Sequence, residues 1–430
     1  WKWGAVALAL WGCHASDKPH ARGLSGNVTP GSHSDASTDA GPRPKCLVQA
    51  VATYDFVRLV RRIDSTVWKA VGNEPFTRVQ GQAGDLLADD IAASGSSAYS
   101  NAIGCAIDRG AVWCFPLAGP LTSAVDLGAG SAADPHVEIP QAVLTQIDTD
   151  AGTVSDAGAG IVGPALQNAV QLSGGMNGGG ASFCAVSSDG KIWCWGFNQY
   201  GLLGHGDTRD AAAARLVISD ATTPFNQAQE VRVGFGSTCA RKADGTVWCW
   251  GDNSYGQLAT DPATQDGSLT PLQIPLNQPA IRLGANPGNT QCAVLQDTTV
   301  QCWGRNEFGE AGGSKTKIWV GPTQVRRTAR GEILSGVIDV APDRGMKAMC
   351  ANTSSDGLVC WGEAFTQDDR TTPIGQYATP IGAPHGGADE ISAPFSAYGA
   401  RDGSLVFING IGQLVMGANA LPATIQPPCN

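Results

Sequence analysis

One pattern of apolar and polar residues occurs four times in the chain: an apolar run with a cysteine, a polar turn, and a second apolar run ending in Cys-Trp-Gly. The copies are FCAVSSDGKIWCWG (183–196), TCARKADGTVWCWG (238–251), QCAVLQDTTVQCWG (291–304) and MCANTSSDGLVCWG (349–362). Two short apolar runs around a turn with Asp and Gly predict a β-hairpin. Recurrence at about 50 residues predicts a repeat architecture.

The spacing within the pattern predicts which residues face each other. With residues 188–190 in a three-residue loop, Cys184 falls opposite Cys194. Directly opposed residues of antiparallel strands have Cα atoms about 4.5 to 5.5 Å apart, which suits a disulfide. The same count pairs Cys239 with Cys249 and Cys292 with Cys302. In the last of these turns Thr298 replaces the glycine, so we expect a strained or differently shaped turn.

Two further cysteine pairs fit the same rule. In CAIDRGAVWC, a two-residue turn at Arg109-Gly110 places Cys105 opposite Cys114. Cys350 and Cys360 keep the ten-residue step, but their Asp-Gly lies one position later, so a bulge or longer loop is predicted. A disulfide closing so short a loop contributes about 2 to 3 kcal/mol. We expect these disulfides to lock hairpins more than to hold the sheets together.

Weaker copies without cysteines complete the series. They are RRIDSTVWKAVG (61–72) and GARDGSLVFING (399–410), and they bring the turn aspartates or their equivalents to seven, near 64, 108, 189, 244, 297, 356 and 402. Period and number predict an all-β fold, a seven-bladed β-propeller with disulfide-stapled hairpins, over residues 45–430. An open solenoid is the alternative. An insertion is predicted at about 118–162, where the turn spacing widens.

After the second cysteine, three units share the ending Trp-Gly-x-Asn-x-(Tyr/Phe)-Gly. The copies are WGFNQYGLLG (195–204), WGDNSYGQL (250–258) and WGRNEFGE (303–310). Together with the Asp-Gly hairpin, this ending resembles the regulator of chromosome condensation repeat family over roughly residues 46–429, most strongly in units three to five. The resemblance implies a seven-bladed propeller serving as a rigid binding platform. The family's founding member exchanges nucleotide on a small GTPase and binds chromatin, but no motif here matches the residues for those activities.

The chain has thirteen cysteines, of which ten belong to the five hairpins. Because the first and last units of a propeller meet, a Cys46–Cys429 disulfide is predicted to close the ring, the alternative being two unpaired thiols. Structural zinc cysteines are usually two to four residues apart, so no metal site is expected, and no cofactor. Abundant paired cysteine indicates an extracytoplasmic location.

The N-terminal segment predicts how the protein is held in place. Lys2, the apolar run 5–11 and the sequence LWGC resemble a bacterial lipoprotein signal (1–13) with Cys13 as the acylated residue; a cleaved signal is the alternative. Residues 14–44 are Ser-, Gly-, Pro- and Asp-rich, which predicts a flexible tether. We expect a cell-envelope lipoprotein or a secreted protein whose membrane contact is the lipid anchor alone.

Net charge of −10 argues against a nucleic-acid platform, since such binding depends on Lys and Arg. No nucleophile motif and no phosphate-binding glycine loop occurs. The sequence predicts a non-enzymatic, monomeric protein-binding platform. The alternatives are a propeller hydrolase or lyase acting on envelope polysaccharide, which His205 and His385 near a channel mouth would favour, and a purely structural envelope protein; glycan is the second class of partner.

Candidate contact residues are those that differ between repeats. Aromatic residues repeated in every unit, such as Tyr200, Tyr255 and Phe308, are assigned to packing, as are the repeated tryptophans. Partner contacts are predicted at positions that vary between equivalent sites and in the acidic part of the insertion: Phe197, Asp252, Arg305, Glu363, Asp148 and Asp150. The spacing of the insertion aspartates does not match a twelve-residue calcium loop.

Overall fold

The structure is a computed structural model. It describes residues 48–54, 57–62, 64–71, 74–95, 102–118, 128–129, 140–147, 161–177, 180–221, 223–284, 288–313, 317–342, 347–355, 357–365, 373–380, 388–392, 397–400, 405–408 and 414–415. All of them belong to the unit Pro44–Asn430; the other unit is Trp1–Arg43. These residues form strands, turns and bends without any helix, so the predicted all-β class is confirmed for this part of the chain.

The strands form seven sheets of four or more strands and one small hairpin. Sheet 1 contains β1 (Val48–Tyr54), β2 (Val57–Arg62), β3 (Val67–Val71) and β4 (Thr77–Arg78), and the small hairpin β5 (Gln80–Gly81) and β6 (Gly84–Asp85) follows it. Sheet 2 contains β7 (Asp90–Ser94), β8 (Ile103–Asp108), β9 (Ala111–Pro116) and β10 (Gln141–Ala142). Sheet 3 contains β11 (Leu144–Ile147), β12 (Ile161–Ala165), β13 (Ala169–Asn177), β14 (Gly180–Ser187), β15 (Ile192–Gly196) and β16 (Ala211–Leu216).

The remaining sheets each have four strands. Sheet 4 contains β17 (Ala228–Val233), β18 (Ser237–Lys242), β19 (Val247–Asp252) and β20 (Gly267–Ile274). Sheet 5 contains β21 (Ala280–Leu283), β22 (Thr290–Leu295), β23 (Val300–Arg305) and β24 (Trp319–Gln324). Sheet 6 contains β25 (Val337–Pro342), β26 (Ala348–Thr353), β27 (Gly357–Phe365) and β28 (Pro373–Pro380). Sheet 7 contains β29 (Ala388–Ser392), β30 (Ala397–Ala400), β31 (Leu405–Ile408) and β32 (Leu414–Val415).

Consecutive strands pair in antiparallel fashion within each sheet, apart from the additional strands of sheet 3. The strands β1, β7, β13, β17, β21, β25 and β29, here called the inner strands, contact one another in succession, and β29 also contacts β1. In each sheet the second and third strands, counted in chain order from the inner strand, form a central hairpin.

We call the end of this hairpin with the tight turn the turn end. The opposite end, where the third strand runs into the Trp-Gly-x-Asn ending in sheets 3 to 5, is called the motif end.

The register of the hairpins agrees with the count made from the sequence. Cys184 pairs with Cys194, and Gly190 supplies the left-handed residue of the loop with a φ of 77°. Cys105 pairs with Cys114 around the two-residue turn of Arg109 (φ 49°) and Gly110 (φ 84°). Two positive φ values are the requirement of a type I′ turn. Turn length thus differs while the opposed cysteines are kept.

The hairpin of Cys350 and Cys360 does not contain the predicted bulge. Pairing runs without a shift from Ala348 opposite Gly362 to Thr353 opposite Gly357, so three residues remain for the loop, the same number as in the Cys184–Cys194 hairpin. The prediction was wrong because it assigned Gly357 to the left-handed loop position. In the structure Gly357 is the first residue of β27.

Thr298 keeps the shape of the glycine-containing turns and adopts their backbone conformation. Its φ is 64°, and its amide donates to the carbonyl of Leu295 at 2.9 Å. A left-handed conformation is a genuine outlier for a β-branched residue. The predicted strain is therefore present, while the predicted change of shape is not.

Replacing Thr298 by glycine is expected to raise the free energy of unfolding by at most about 1 kcal/mol. It removes left-handed strain of about 1 to 2 kcal/mol, against the entropy that glycine loses on folding and the exposed hydrogen bond that Thr298 Oγ1 accepts from the Gly336 N–H at 3.0 Å. The matched control is Gly245→Thr, which should destabilise, since a Cβ there would lie 2.5 Å from the Cβ of Pro279. Urea unfolding midpoints of the two variants measure both effects. Equal shifts of the same sign would contradict the assignment of strain to this turn.

The insertion extends two sheets at their outer edges. Gln141 and Ala142 form the fourth strand of sheet 2, and β11 joins the edge of sheet 3 through a parallel pairing of Thr145 with Ala214. The strand β12 then pairs with β11, which makes sheet 3 six-stranded. The described part of the predicted insertion is therefore a continuation of the sheets. Asp148 and Asp150 lie outside the described residues.

Five cysteine pairs are disulfide-bonded, with S–S distances of 2.04 to 2.10 Å. All ten of these cysteines are almost fully buried, and four of the five disulfides lie in a core cluster that also contains residues of a second sheet. Cys184 and Cys194, for example, pack in one cluster with Trp250 of the following sheet. The same arrangement joins Cys105 and Cys114 to Trp195, Cys239 and Cys249 to Trp303, and Cys292 and Cys302 to Trp361. Each disulfide joins two strands of one hairpin, as expected, and four of them also pack against the tryptophan of the following sheet.

Candidate binding face

The asparagine of the repeated ending folds the loop that follows the third strand. The side-chain amide of Asn253 donates to the carbonyls of Gln265 (2.6 Å) and Thr260 (3.3 Å), and its oxygen accepts the amide N–H of Leu258 at 2.8 Å. Asn198 makes the equivalent contacts in sheet 3. Both side chains are fully buried. This position of the motif is therefore structural.

The tryptophan of the ending joins sheets 4, 5 and 6 to the preceding sheet, whereas the buried indole N–H of Trp195 in sheet 3 has no partner among the described residues. The indole N–H of Trp250 donates to the carbonyl of Leu202 at 2.8 Å. The equivalent bonds run from Trp303 to Gln257 (2.9 Å) and from Trp361 to Glu310 (2.8 Å). All three tryptophans are 0% exposed. The interpretation of the repeated tryptophans as packing residues agrees with this geometry.

The four variable positions lie together at the motif end of sheets 3 to 6. Each follows a left-handed glycine, and each backbone N–H donates to a carbonyl at the start of the second strand or just before it. The four are half-buried: Phe197, Asp252, Arg305 and Glu363. The repeat thus fixes their backbone while leaving the side chain partly accessible.

Side chains of neighbouring sheets meet at these variable positions. The guanidinium of Arg305 lies 5.0 Å from the ring centroid of Phe308 in its own sheet and 5.5 Å from that of Tyr255 in the preceding sheet. The ammonium of Lys347, from the next sheet, lies 4.7 Å from the ring of Phe308. Cations over aromatic faces are attracted by the ring quadrupole. Tyr255 and Phe308 therefore pack against the charged side chains of neighbouring sheets, whereas Tyr200, also assigned to packing from the sequence, is 42% exposed.

Polar contacts also hold the side chains of two variable positions, Asp252 and Arg305. Asp252 accepts from the amide and hydroxyl of Ser254 and, at 2.9 Å, from the side-chain amide of Gln257. In sheet 5, Glu310 occupies the position of Gln257, and burial raises its pKa above the usual range. One carboxylate oxygen of Glu310 lies 3.7 Å from Nε of Arg305. The guanidinium of Arg305 is thus oriented by the aromatic rings of Tyr255 and Phe308 and by the carboxylate of Glu310.

An apolar band runs beside these charged groups. Leu269 of sheet 4 lies against Gly201, and Trp319 of sheet 5 lies against Gly256, so a side chain on either glycine would collide with it. Tyr200 is 42% exposed, Leu269 39% and Ile318 63%. We call this set the aromatic band: Tyr200, Tyr255, Leu269, Phe308, Ile318 and Trp319. Leu269, Ile318 and Trp319 were missed from the sequence, and an apolar residue shortly after the motif loop is the signal that marks them.

Models of the regulator of chromosome condensation (RCC1) repeat match residues 189–225, 229–257 and 244–283, which form the centre of this face. The chain contains RCC1 repeats. Protein RCC2 homolog of Danio rerio is 32% identical over 138 residues, 30% of this chain and 25% of that protein. The E3 ubiquitin-protein ligase HERC2 of Homo sapiens is 28% identical over 192 residues, 43% of this chain and 4% of that protein. The chain therefore spans a quarter or less of these curated relatives.

Solved structures share the fold. Human WBSCR16 superposes with a TM-score of 0.57 and 14% identity, covering 78% of this chain and 79% of that one. Prp20p of Saccharomyces cerevisiae gives 0.55 and 15%, covering 80% of each chain. Prp20p was studied for its binding to Gsp1p and histones, and yeast RCC1 (Prp20) was solved bound to Kap60. At this identity the likeness shows the RCC1-like propeller fold alone.

The histidines considered for catalysis do not form a site on the described surface. His205 is buried, and burial, with the guanidinium of Arg215 as a second cause, lowers its pKa to about 3. His385 lies outside the described residues. Among those described, no group of three His, Cys, Asp or Glu residues is placed to hold a metal ion. The same part of the chain has no helix long and apolar enough to span a membrane.

Proposed function

We propose that this protein is a non-enzymatic binding platform that holds a protein partner on the aromatic band. The observation that carries the proposal is the band itself, with its exposed Tyr200 and Ile318 beside the ring-stacked guanidinium of Arg305. Protein interfaces are enriched in aromatic residues and Arg, and Tyr, Trp and Arg dominate their binding energy. The variable positions 197, 252, 305 and 363 then provide the selectivity.

The platform is a closed ring of seven blades in this proposal. Seven successive sheets and the contact of β29 with β1 support closure. Closure makes the band rigid, since each sheet is packed between two others. The Cys46–Cys429 disulfide, whose cysteines lie outside the described residues, remains the predicted covalent closure, and a monomer is the expected state.

The proposed extracytoplasmic location is supported by the five buried disulfides, because disulfides form and persist in an oxidising environment. We therefore keep the proposal of an envelope lipoprotein or secreted protein. Cys13 as the lipid-bearing residue and 14–44 as the tether remain predictions, and both lie outside the described residues.

Binding by related folds supports a protein partner. Yeast RCC1 (Prp20) forms a complex with Kap60, which is a protein. The polysaccharide hydrolase or lyase is the weaker candidate, because His205 is buried and donates its Nε2 proton to the carbonyl of Arg215 at 3.2 Å.

Replacing Ile318 by glutamate is expected to abolish partner capture, because a charge in the apolar band costs several kcal/mol when a partner buries it. The measurement is affinity capture from an envelope extract of the native organism with the oxidised protein as bait. The matched control is Ile281→Glu, since Ile281 is 48% exposed and lies at the turn end.

A discrete protein retained by the unmodified bait and by Ile281→Glu, and lost with Ile318→Glu, would support the proposal. Retention by all three baits would place the interface elsewhere. Recovery of glycan in place of protein would overturn the function as stated.

A further inference from the structure

A pocket of about 560 Å³ lies at the turn end between sheets 1 and 2, away from the aromatic band. The small hairpin β5–β6 forms one wall, and the turn of Asp108 and Arg109 forms another. Trp113, exposed Leu87 and Pro140 add apolar surface. This volume is within the range of pockets that take small ligands or single side chains.

The tryptophan of this pocket has equivalents whose surroundings are known. Trp113 stands directly before the second cysteine position of its hairpin, as do Trp68 in sheet 1 and Trp248 in sheet 4. The guanidinium of Arg62 lies 5.3 Å from the ring of Trp68, and the ammonium of Lys242 lies 4.8 Å from the ring of Trp248. In these two sheets the fold covers this ring with a cation of its own, whereas the equivalent Trp193 of sheet 3 packs against a hydrophobic core cluster.

Sheet 2 has the opposite charge at the position of that cation. Arg62 and Lys242 each end the second strand of their sheets, just before the tight turn, and the residue that ends β8, the second strand of sheet 2, is Asp108. Within the described part of the chain no cation lies over Trp113, and Arg109 bonds to Asp108 with its side chain 90% exposed. The ring that is covered in sheets 1 and 4 here faces a pocket with a carboxylate beside it.

The rest of the pocket is also acidic. Asp85 is paired with Arg78, whereas Asp89 accepts the backbone N–H of Arg109 at 3.1 Å and forms no ion pair among the described residues. The lining has three aspartates against one arginine. A cation entering the pocket would gain the field of these carboxylates and the face of the indole.

We propose that this pocket binds an ammonium or guanidinium group on an apolar stem, which takes the place that Arg62 and Lys242 fill in sheets 1 and 4. Leu87 and Pro140 contact the stem and Trp113 the cation. Asp89, which forms no ion pair among the described residues, neutralises the charge, and Asp108 does so in exchange for its bond to the 90% exposed Arg109. Either a basic side chain of a protein or a free small amine carries this chemistry. The inference is independent of the aromatic band.

The test is titration of the full-length protein with Nα-acetyl-lysine methylamide, followed by the NMR signal of the Trp113 indole N–H, which a Trp113→Phe variant assigns. The blocking variant is Asp108→Lys, which restores the cation that sheets 1 and 4 contain, so the fold already accepts it. We expect a saturable shift, weakened by salt, and at least ten-fold weaker binding in Asp108→Lys. The norleucine analogue, which lacks the ammonium, should not bind.

A capped pentapeptide with a central lysine distinguishes the two sources. Binding of the peptide and the single residue alike indicates a protein side chain, and binding of the single residue alone indicates a small amine. Equal shifts with the norleucine analogue, or unchanged binding in Asp108→Lys, would overturn the proposal. These results do not depend on whether Ile318→Glu affects partner capture, so the two proposals can fail separately.

Discussion

Replacing Trp250 by alanine is expected to lower the free energy of unfolding by about 3 to 5 kcal/mol, as for other buried aromatic residues. Trp250 is 0% exposed and packs against the Cys184–Cys194 disulfide of the preceding sheet. Its indole also donates to the carbonyl of Leu202 in that sheet. The substitution therefore leaves a cavity between two sheets and removes a hydrogen bond that joins them.

The same strand provides a matched control. Trp248 is half-buried, and its indole donates to the hydroxyl of Thr246 in its own hairpin at 3.0 Å. Trp248→Ala should cost markedly less. Trp250→Phe should cost about 1 to 2 kcal/mol, because it loses the donor but keeps most of the packing, and Thr238 still donates to the Leu202 carbonyl.

Urea unfolding of the three variants in oxidising buffer measures these differences. If Trp250→Ala and Trp248→Ala were equally destabilised, the indole–carbonyl bond and the disulfide–tryptophan core would not be what holds consecutive sheets together.

The hairpins were predictable because their rules are local. A strand has a period of two, and the turn length fixes the register, so counting outward from Asp189-Gly190 is sufficient to place Cys184 opposite Cys194. The place of the variable positions in the hairpin was also predictable, since each directly follows the motif glycine, whereas their role as partner contacts stays a prediction. The Gly357 error shows the limit of this approach, because an Asp-Gly pair alone does not determine which residue is in the loop.

Contacts between the inner strands were not predictable, because they join residues 50 to 60 positions apart. Gln171 accepts the N–H of Val231, and Glu230 accepts that of Leu283. Arg282 follows in this series, and its guanidinium has only donors, so it is unable to accept a hydrogen bond from a backbone N–H. Asp339 therefore takes the N–H of Val340 itself, and Arg282 binds its other oxygen at 3.2 Å. The roles of the charged residues Glu230, Arg282 and Asp339 therefore become apparent only when neighbouring sheets are seen side by side.

The aromatic band was partly missed for a related reason. Tyr200 and Tyr255 recur in the motif, whereas Leu269, Ile318 and Trp319 follow loops of different lengths. The asparagine of the motif folds each loop back, which brings these residues beside the motif glycines. A residue after a variable loop has no fixed register in the sequence, so its place becomes visible only through the side-chain contacts of the asparagine.

Acidification is expected to destabilise the protein through His205. Burial, followed by the guanidinium of Arg215, lowers the pKa of His205 to about 3, while an unfolded histidine has a pKa of about 6.5. The folded ring is therefore neutral. Its Nε2 carries the proton, since the Arg215 carbonyl at 3.2 Å is only an acceptor, and Nδ1 has no partner among the described residues.

The sign of the effect follows from proton uptake. Between pH 6.5 and about 3 the unfolded chain binds a proton at His205 that the folded chain does not bind. The free energy of unfolding thus falls as pH falls across this window, by about 1.4 kcal/mol per pH unit from this residue. Above pH 6.5 the two states are both neutral here, and the contribution disappears.

The variant His205→Gln isolates this term, because its amide still donates to the Arg215 carbonyl and does not titrate. Unfolding free energies of the unmodified protein and the variant are compared at pH 7 and pH 4.5. The effects of carboxylates cancel when the unfolding free energy of the unmodified protein is subtracted from that of the variant, because both proteins contain them. Between pH 7 and pH 4.5 this difference should increase by about 2 to 3 kcal/mol in favour of the variant. Parallel pH profiles would mean that His205 is accessible to protons in the folded state, and its assignment as a buried neutral residue would then be wrong.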